Sequence, residues 1–345
     1  MIKAFNDKDS KGRKVVENSI ASRKPYMIDF QRIIESKAYR RLADKTQAFS
    51  LPEHSHIRTR KVHTDEVIST SMKISEFLGL NTELCMAIAA GHDIGHPPYG
   101  HLGEKVLAKL GKKPFHHAVF GPVVAQQIEN RGNGLNLSYE TLEGMLLHAR
   151  GGKELSMSRS KPAEYNVVML ADKISYTFGD YSDSSNRVGY FPKEKHTDLV
   201  EKIDKYLGKS TNERREACVK ALVLQSKTTG EVSFSQGPEF ETFNTLRQVL
   251  YKEVYPSIQA HMHETALTDL YQFIKTDPEF IKKYNGFDPV VFISLLTDKE
   301  VTYFGVRQFE SKKNSLSDIE HFGAFELLPE LKDKKIDYSN PGLDW

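Results

Sequence analysis

The side chains of this sequence best suited to chemistry are its histidines. Nine of the thirteen lie between His54 and His148: His54, His56, His63, His92, His96, His101, His116, His117 and His148. That stretch is little more than a quarter of the chain, and an even spread would place about three or four there. Clustered imidazoles point to metal binding or proton transfer, because histidine serves both near neutral pH. The sharpest feature is His92-Asp93 within AIAAGHDIGHPPYGHLGE. An imidazole and a carboxylate at the end of one buried helix can face a single cation. With open coordination positions such ligands suit Mn, Fe, Zn or, with more water, Mg. A chance surface dipeptide is the alternative, and the apolar run before it argues against that.

Two ligands do not make a site. His63, in RTRKVHTDEV on the preceding helix, is a third candidate, and Asp172, within NVVMLADKISYTFGD, is a fourth. A buried mid-helix carboxylate is costly unless paired or metal-bound, so Asp172 is either a ligand or a salt-bridged helix residue. Asp172, Tyr176 and Asp180 recur at i, i+4 and i+8 and share a helix face. That face can offer a ligand, an aromatic edge and an acceptor for a sugar hydroxyl, or Tyr176 is simply a core residue. His101 and Glu104, three apart, can form a carboxylate-held imidazole of the kind that moves protons. His96 and His117 can donate to an anionic substrate. Each histidine taken singly reads as a hydrogen-bonded core residue; the cluster favours function. Arg40, Arg41, Lys45, Arg58, Arg60, Lys61 and Lys173 are cations nearby in sequence, and arginine forks match phosphate oxygens. Lys61 reads as part of a solvated face. Arg60 precedes His63 by three and is aimed at the same cavity if that segment is helical.

The elements that must hold these residues read as helices throughout. Residues 27–45 form an amphipathic helix, and 61–78 another, with Gly79 as its C-cap. Asn81 or Thr82 caps LCMAIAAGHD, apolar on all sides and therefore buried, and Pro97-Pro98 ends it. Helices follow at 102–110, 117–130 and 139–149, then a polar loop at 151–161. Pro162 opens a helix through Phe178. Ser210 and Glu213 form a capping box for a helix to about 225. EVSF (231–234) is a short strand. Residues 239–275 give one long helix kinked or broken at Pro256, and Asp288-Pro289 open another through Phe309. The last thirty-odd residues are a polar, weakly patterned tail. The organisation is an N-terminal segment (1–24), a helical catalytic core (25–190) and a helical C-terminal region packed on it (191–345).

The composition of the 345 residues narrows the classes further. No run approaches the ~18 apolar residues of a membrane span. The polar N-terminus lacks an apolar signal core, and two cysteines, Cys85 and Cys218, make neither a disulfide scaffold nor a cysteine-rich zinc site. A reducing cytoplasm is expected. A net charge of +2 argues against nucleic-acid binding by bulk charge. There is no Gly-rich phosphate loop and no repeat.

The strings YRRLADKTQAF (39–49), RTRKVHTDEV (58–67), GHDIGHPPYGHLGE (91–104), TLEGMLLH (141–148) and LADKISYTFGDYSD (170–183) resemble the HD-domain phosphohydrolases, specifically the deoxynucleoside triphosphate triphosphohydrolase (dGTPase) family. The resemblance implies an all-α HD-domain bundle with additional C-terminal helices. It implies one divalent metal ion, Mn²⁺ or Mg²⁺ foremost and Fe²⁺, Co²⁺ or Zn²⁺ as alternatives, held by His63, His92, Asp93 and Asp172. The implied reaction takes dGTP or several dNTPs to the deoxynucleoside and inorganic triphosphate, with water attacking the α-phosphorus. His101, supported by Glu104, is then catalytic. His96, His117, Arg60 and Lys173 meet phosphate, Gln47 and Asp180 meet the sugar 3′-hydroxyl, and Tyr176 closes the space beside C2′. A homo-oligomer, hexamer or tetramer, is implied as well; the sequence shows no regulatory nucleotide site, and a nucleotide or single-stranded DNA effector stays an open alternative. VFISLLTDKEVTYF (291–304) is similar to a family segment in which an aromatic stands where this chain has Glu300. The competing readings are an HD nucleotidase for deoxynucleoside monophosphates and a non-catalytic nucleotide or single-stranded nucleic-acid binder.

Overall fold

In the computed structural model, residues 2–17, 24–49, 54–149, 160–258, 261–284, 287–310, 314–331 and 334–345 are described. Among them are seventeen α-helices and no strand. The first half comprises α1 (Pro25–Glu35), α2 (Lys37–Arg41), α3 (Arg60–Leu78), α4 (Thr82–Gly91), α5 (Gly100–Gly111), α6 (His117–Val123), α7 (Tyr139–Leu147) and α8 (Ala163–Asn186). The second half comprises α9 (Thr197–Tyr206), α10 (Thr211–Thr229), α11 (Pro238–Val249), α12 (His261–Thr276), α13 (Pro278–Tyr284), α14 (Pro289–Ser294), α15 (Asp298–Phe309), α16 (Leu316–Ile319) and α17 (Leu328–Leu331).

Local chemistry sets the boundaries that position the site. The Thr59 hydroxyl accepts from Val62 N to start α3, and Gly79, left-handed at φ 66°, ends it. The Asn81 side chain accepts from Leu84 N and caps α4. The Ser210–Glu213 box is present, and α10 runs four residues past its expected end. Helix α8 likewise continues beyond Phe178 to Asn186, with Pro162 as its N-cap rather than its first residue.

Helix α4 is buried on every side, as its composition requires. It packs on α1, α3, α7 and α8, and its residues divide between two apolar cores. Ala90 joins Ile33, Phe120, Leu270, Phe292, Phe304 and Phe325, whereas Ile88 and Ala89 join Tyr26, Met169, Phe178, Leu222 and Phe243. Each core therefore mixes helices from both halves of the chain.

Several elements differ from expectation. The helix at 27–45 breaks at Ser36, whose Oγ accepts from Tyr39 N and caps α2. The helix begun at His117 loosens into a π turn at Val124–Ile128. EVSF pairs with nothing as a strand; Val232 and Phe234 are buried as irregular chain. The long helix from 239 leaves α geometry earlier than Pro256, in a π turn at Leu250–Val254. The helix begun at Asp288 is interrupted at Leu295–Thr297, because Thr297 and Glu300 form a capping box that starts α15. The polar tail instead buries Leu316, Ile319, Phe322, Phe325, Leu328 and Leu331. Of the loop expected at 151–161, residues 151–159 lie outside the described residues.

Candidate active site and metal centre

The site forms where α4 ends. Arg60 and His63 occupy the first turn of α3, on its buried side. His92 and Asp93 follow α4 directly, and the chain then turns through Gly95 and Pro97-Pro98. An added Cβ on Gly95 would stand 2.2 Å from His117 O and 2.3 Å from Gly121 N. Helix α6 thus lies flat on this turn because residue 95 has no side chain. Tyr99, in the left-handed region at φ 59°, redirects the chain into α5, which presents His101 and Glu104. Helix α8 crosses α3 and brings Asp172 to the same point.

Two imidazoles and two carboxylates meet there. His63 Nε2 stands 3.0 Å from Asp172 Oδ1 and 3.9 Å from Asp93 Oδ2. His92 Nε2 stands 3.4 Å from Asp93 Oδ2 and 3.9 Å from Asp172 Oδ1. Ligands bonded at ~2.1 Å to one ion stand roughly 3–4 Å apart, so these separations fit a divalent cation. The donor chemistry fits too. His92 Nδ1 donates to Ala89 O at 2.7 Å, which leaves Nε2 with its lone pair, and that buried atom has no hydrogen-bond partner among the described residues. Burial lowers the His92 pKa and keeps the ring neutral. Burial pushes Asp93 up, but His92, Arg60 and His96 together hold it well below the usual carboxylate range. Asp172 is likewise held low, its contacts with His63 and His92 outweighing burial. Burial pushes the His63 ring down, but the bond and charge of Asp172 and the charge of Asp93 raise its pKa; a cation bound between the carboxylates takes the place of that proton, as metal binding releases protons from its ligands.

A second network adjoins the first. Asp93 Oδ1 stands 3.3 Å from His96 Nε2, and the His96 ring stacks on His117 with centroids 3.7 Å apart. Glu104 serves two histidines at once: Oε2 lies 2.6 Å from His101 Nδ1 and Oε1 lies 2.7 Å from His117 Nδ1. Glu104 Oε1 also accepts from His117 N. Burial pushes the Glu104 carboxyl up, yet the charge of His117 and the bonds from His101 and His117 hold it well below the usual range. The His101 side chain is 72% exposed, unlike its neighbours, so its ring is open to a reactant. His148, counted in the sequence cluster but given no role there, stands with its Nε2 3.2 Å from His117 Nε2. His148 Nδ1 donates to Met145 O, which leaves its Nε2 to accept from His117.

Of the other sequence candidates, Arg60 donates through Nη1 to Asp93 Oδ2 at 2.7 Å and through Nε and Nη2 to Thr46 O and Gln47 O. Gln47 carries a buried Oε1 without a hydrogen-bond partner among the described residues. Lys173 is buried next to Asp172 in sequence. Asp180 is buried and accepts from the Tyr255 hydroxyl at 2.8 Å. Tyr176 accepts from Arg247 Nε at 3.2 Å and its hydroxyl lies 3.3 Å from that of Tyr251. The remaining cations are engaged elsewhere. Arg58 is held by Glu66 and Asp183, Arg41 by Glu129, and Lys61 by Asp65 on the solvated face. Arg40 donates to the Glu35 carbonyl, and buried Lys45 donates to the carbonyls of His96 and Ser294.

Arg247, Tyr251 and Tyr255 were not found from the sequence. They stand at i, i+4 and i+8 across the α11 π turn and face Tyr176 and Asp180, which share the same spacing on α8. A polar aromatic face repeated at helical spacing was the signal available.

The HD-domain family model matches residues 60–177, a span that contains His63, His92, Asp93 and Asp172. A deoxyguanosinetriphosphate triphosphohydrolase-like protein of Caldanaerobacter subterraneus subsp. tengcongensis is 38% identical over 76% of this chain and 74% of its own. One of Clostridium tetani is 33% identical over 88% of this chain and 86% of its own. One of Clostridium perfringens is 39% identical over 73% and 72%. The chain is an enzyme of the HD-domain, deoxyguanosinetriphosphate triphosphohydrolase-like family.

Proposed function

We propose that this enzyme hydrolyses a deoxynucleoside triphosphate to the deoxynucleoside and inorganic triphosphate, with water attacking the α-phosphorus. The observation that carries the reading is the contact of two networks, the His63–His92–Asp93–Asp172 ring and the His101–Glu104–His117 chain, joined through His96 at 3.3 Å from Asp93. The printed names of the relatives point to the same substrate class.

A divalent cation, manganese or magnesium foremost, held by His63, His92, Asp93 and Asp172, supplies Lewis acidity toward a phosphoryl oxygen. Arg60 and Lys173 neutralise charge on the triphosphate, and His96 and His117 donate hydrogen bonds to it. His101 moves the proton, at its outer ring nitrogen, between the attacking water or the departing 5′-oxygen and the site. Glu104 fixes the His101 ring by holding Nδ1. Gln47, with its unpartnered amide oxygen, and Asp180 take the sugar 3′-hydroxyl. Tyr176, braced by Arg247, closes the space beside C2′.

The test is incubation with each of the four dNTPs and GTP, with Mn²⁺ or Mg²⁺, and separation of the products. Tripolyphosphate and deoxynucleoside are expected. Stepwise orthophosphate, or activity only on monophosphates, would favour a nucleotidase and defeat the reading. Hydrolysis of GTP at rates near those of dGTP would remove the role given to Tyr176.

A further inference from the structure

Asp298 opens α15, but its carboxylate is not engaged with that helix. The capping of α15 is done by Thr297 and Glu300, whose side chains exchange bonds with each other's backbone. Asp298 is 3% exposed and reaches out of its own element in two directions. Oδ2 accepts from Thr46 N at 2.9 Å and from the Thr46 hydroxyl. Oδ1 accepts from Tyr99 N at 2.9 Å. The Tyr99 hydroxyl returns to the same helix, at 3.3 Å from Asp298 O and 2.7 Å from Thr302 Oγ1.

Each of these partners leads to the chemistry. Tyr99 is two residues before His101 and is held left-handed, a conformation unfavourable for a residue with a Cβ. It is the N-cap of α5 yet gives that helix no side-chain bond. The direction in which α5 leaves the Pro97-Pro98 turn, and hence the placing of His101 and Glu104, depends on what fixes Tyr99. Thr46 pairs with Thr59 in an isolated bridge, and its carbonyl holds Arg60 Nε. Gln47 follows it directly. Lys45, one residue earlier, makes a parallel tie: its ammonium joins the carbonyls of His96 and Ser294.

We propose that Asp298 is a positioning residue. Its carboxylate fixes the Arg60–Gln47 side of the site against the turn that carries His101, so that a C-terminal helix with no side chain in the chemistry sets the distance between substrate contacts and proton-transfer group. The role rests on the triphosphohydrolase reading for its kinetic consequence, but not for its structural one.

The experiment compares Asp298→Ala and Asp298→Asn with Glu300→Ala in the full-length chain. Glu300→Ala breaks the cap of the same helix and leaves the ties to Thr46 and Tyr99 in place. Asp298→Asn keeps the size and one acceptor, and carries the test if the alanine variant does not fold. With displacements of about 1 Å worth up to ~10²-fold in rate, Asp298→Ala is expected to lower kcat at least ~10-fold with KM changed less than ~3-fold, and Asp298→Asn to fall between it and wild type. Bound manganese per chain is expected to match wild type. Deuterium exchange in peptides covering 45–49 and 97–101 is expected to quicken in the Asp298 variants and not in Glu300→Ala. Unchanged kcat in the Asp298 variants, unchanged exchange in those peptides, or an equal kcat loss in Glu300→Ala would overturn the proposal. A wild-type chain without triphosphohydrolase activity would sink the proposed function and leave the exchange comparison able to decide the tie.

Discussion

Glu104 holds His101 with one oxygen and His117 with the other, so a change there removes two supports at once. Glu104→Gln keeps the shape, but its amide nitrogen can no longer accept from a ring N–H, so one of the two histidines loses its support. A loss of about 10²-fold in kcat is expected, with ~10²–10⁴-fold for His101→Ala, as for removal of a general acid–base group. Metal analysis of the purified variants separates this from site collapse: manganese content should stay at the wild-type level in both. Asp180 gives a prediction in pH. Burial raises its carboxyl to about 6 against the opposing bond from Tyr255. The folded state therefore favours the protonated form, whose stabilisation is complete below the unfolded pKa near 4 and is lost as pH rises through about 6. A shift of roughly two units corresponds to about 3 kcal/mol. Asp180→Asn should therefore gain in melting temperature over wild type between pH 4 and pH 7. A constant difference across that range would show that Asp180 does not titrate in this way.

At the scale of elements, the turn after α4 tolerates no side chain at residue 95. A Cβ there meets backbone atoms of His117 and Gly121, which cannot rotate away. Gly95→Ala must push α6 off the His92-Asp93 turn and is expected to cost about 1–3 kcal/mol or more, as overpacking does. Both the melting temperature and the affinity for manganese should fall, measured by thermal unfolding and by titration of the metal-free protein. What the sequence made legible divides along the same line between local and distant causes. The starts and stops of α3, α4 and α10 are carried by Thr59, Gly79, Asn81 and the Ser210–Glu213 pair, all within a turn of the boundary they set. The clustering of His63, His92-Asp93 and Asp172 was likewise legible, because buried polar residues at helix ends and centres need a reason. Arg247, Tyr251 and Tyr255 were not legible, since their meaning comes from Tyr176 and Asp180 some 70 residues away in sequence. Asp298 was visible only as part of a Thr-Asp string. Its partners, Thr46 and Tyr99, are 252 and 199 residues distant.

At the scale of the whole molecule, the tail read as weakly patterned is part of a core. Leu316, Ile319, Phe322, Phe325, Leu328 and Leu331 recur every third residue, and all are buried. The spacing hides from a search at period 3.6, because the segment is two four-residue α turns and a 3₁₀ turn rather than one helix. These six join the core that contains Ala90, Ile94 and Phe120, next to His92-Asp93 and α6. At roughly 1.5–3 kcal/mol for each fully buried side chain of this kind, their loss is comparable with the 5–15 kcal/mol by which a typical protein is folded. A chain ended after Asn314 therefore lacks a stable fold, although every proposed metal ligand and catalytic residue is still present. It should be recovered in inclusion bodies, or melt without a cooperative transition, and bind no manganese at micromolar concentration. A truncated chain that melts cooperatively within about 5 °C of the full-length protein would mean that the six side chains contribute far less than their burial implies, since at this chain length about 5 °C corresponds to only about 4 kcal/mol.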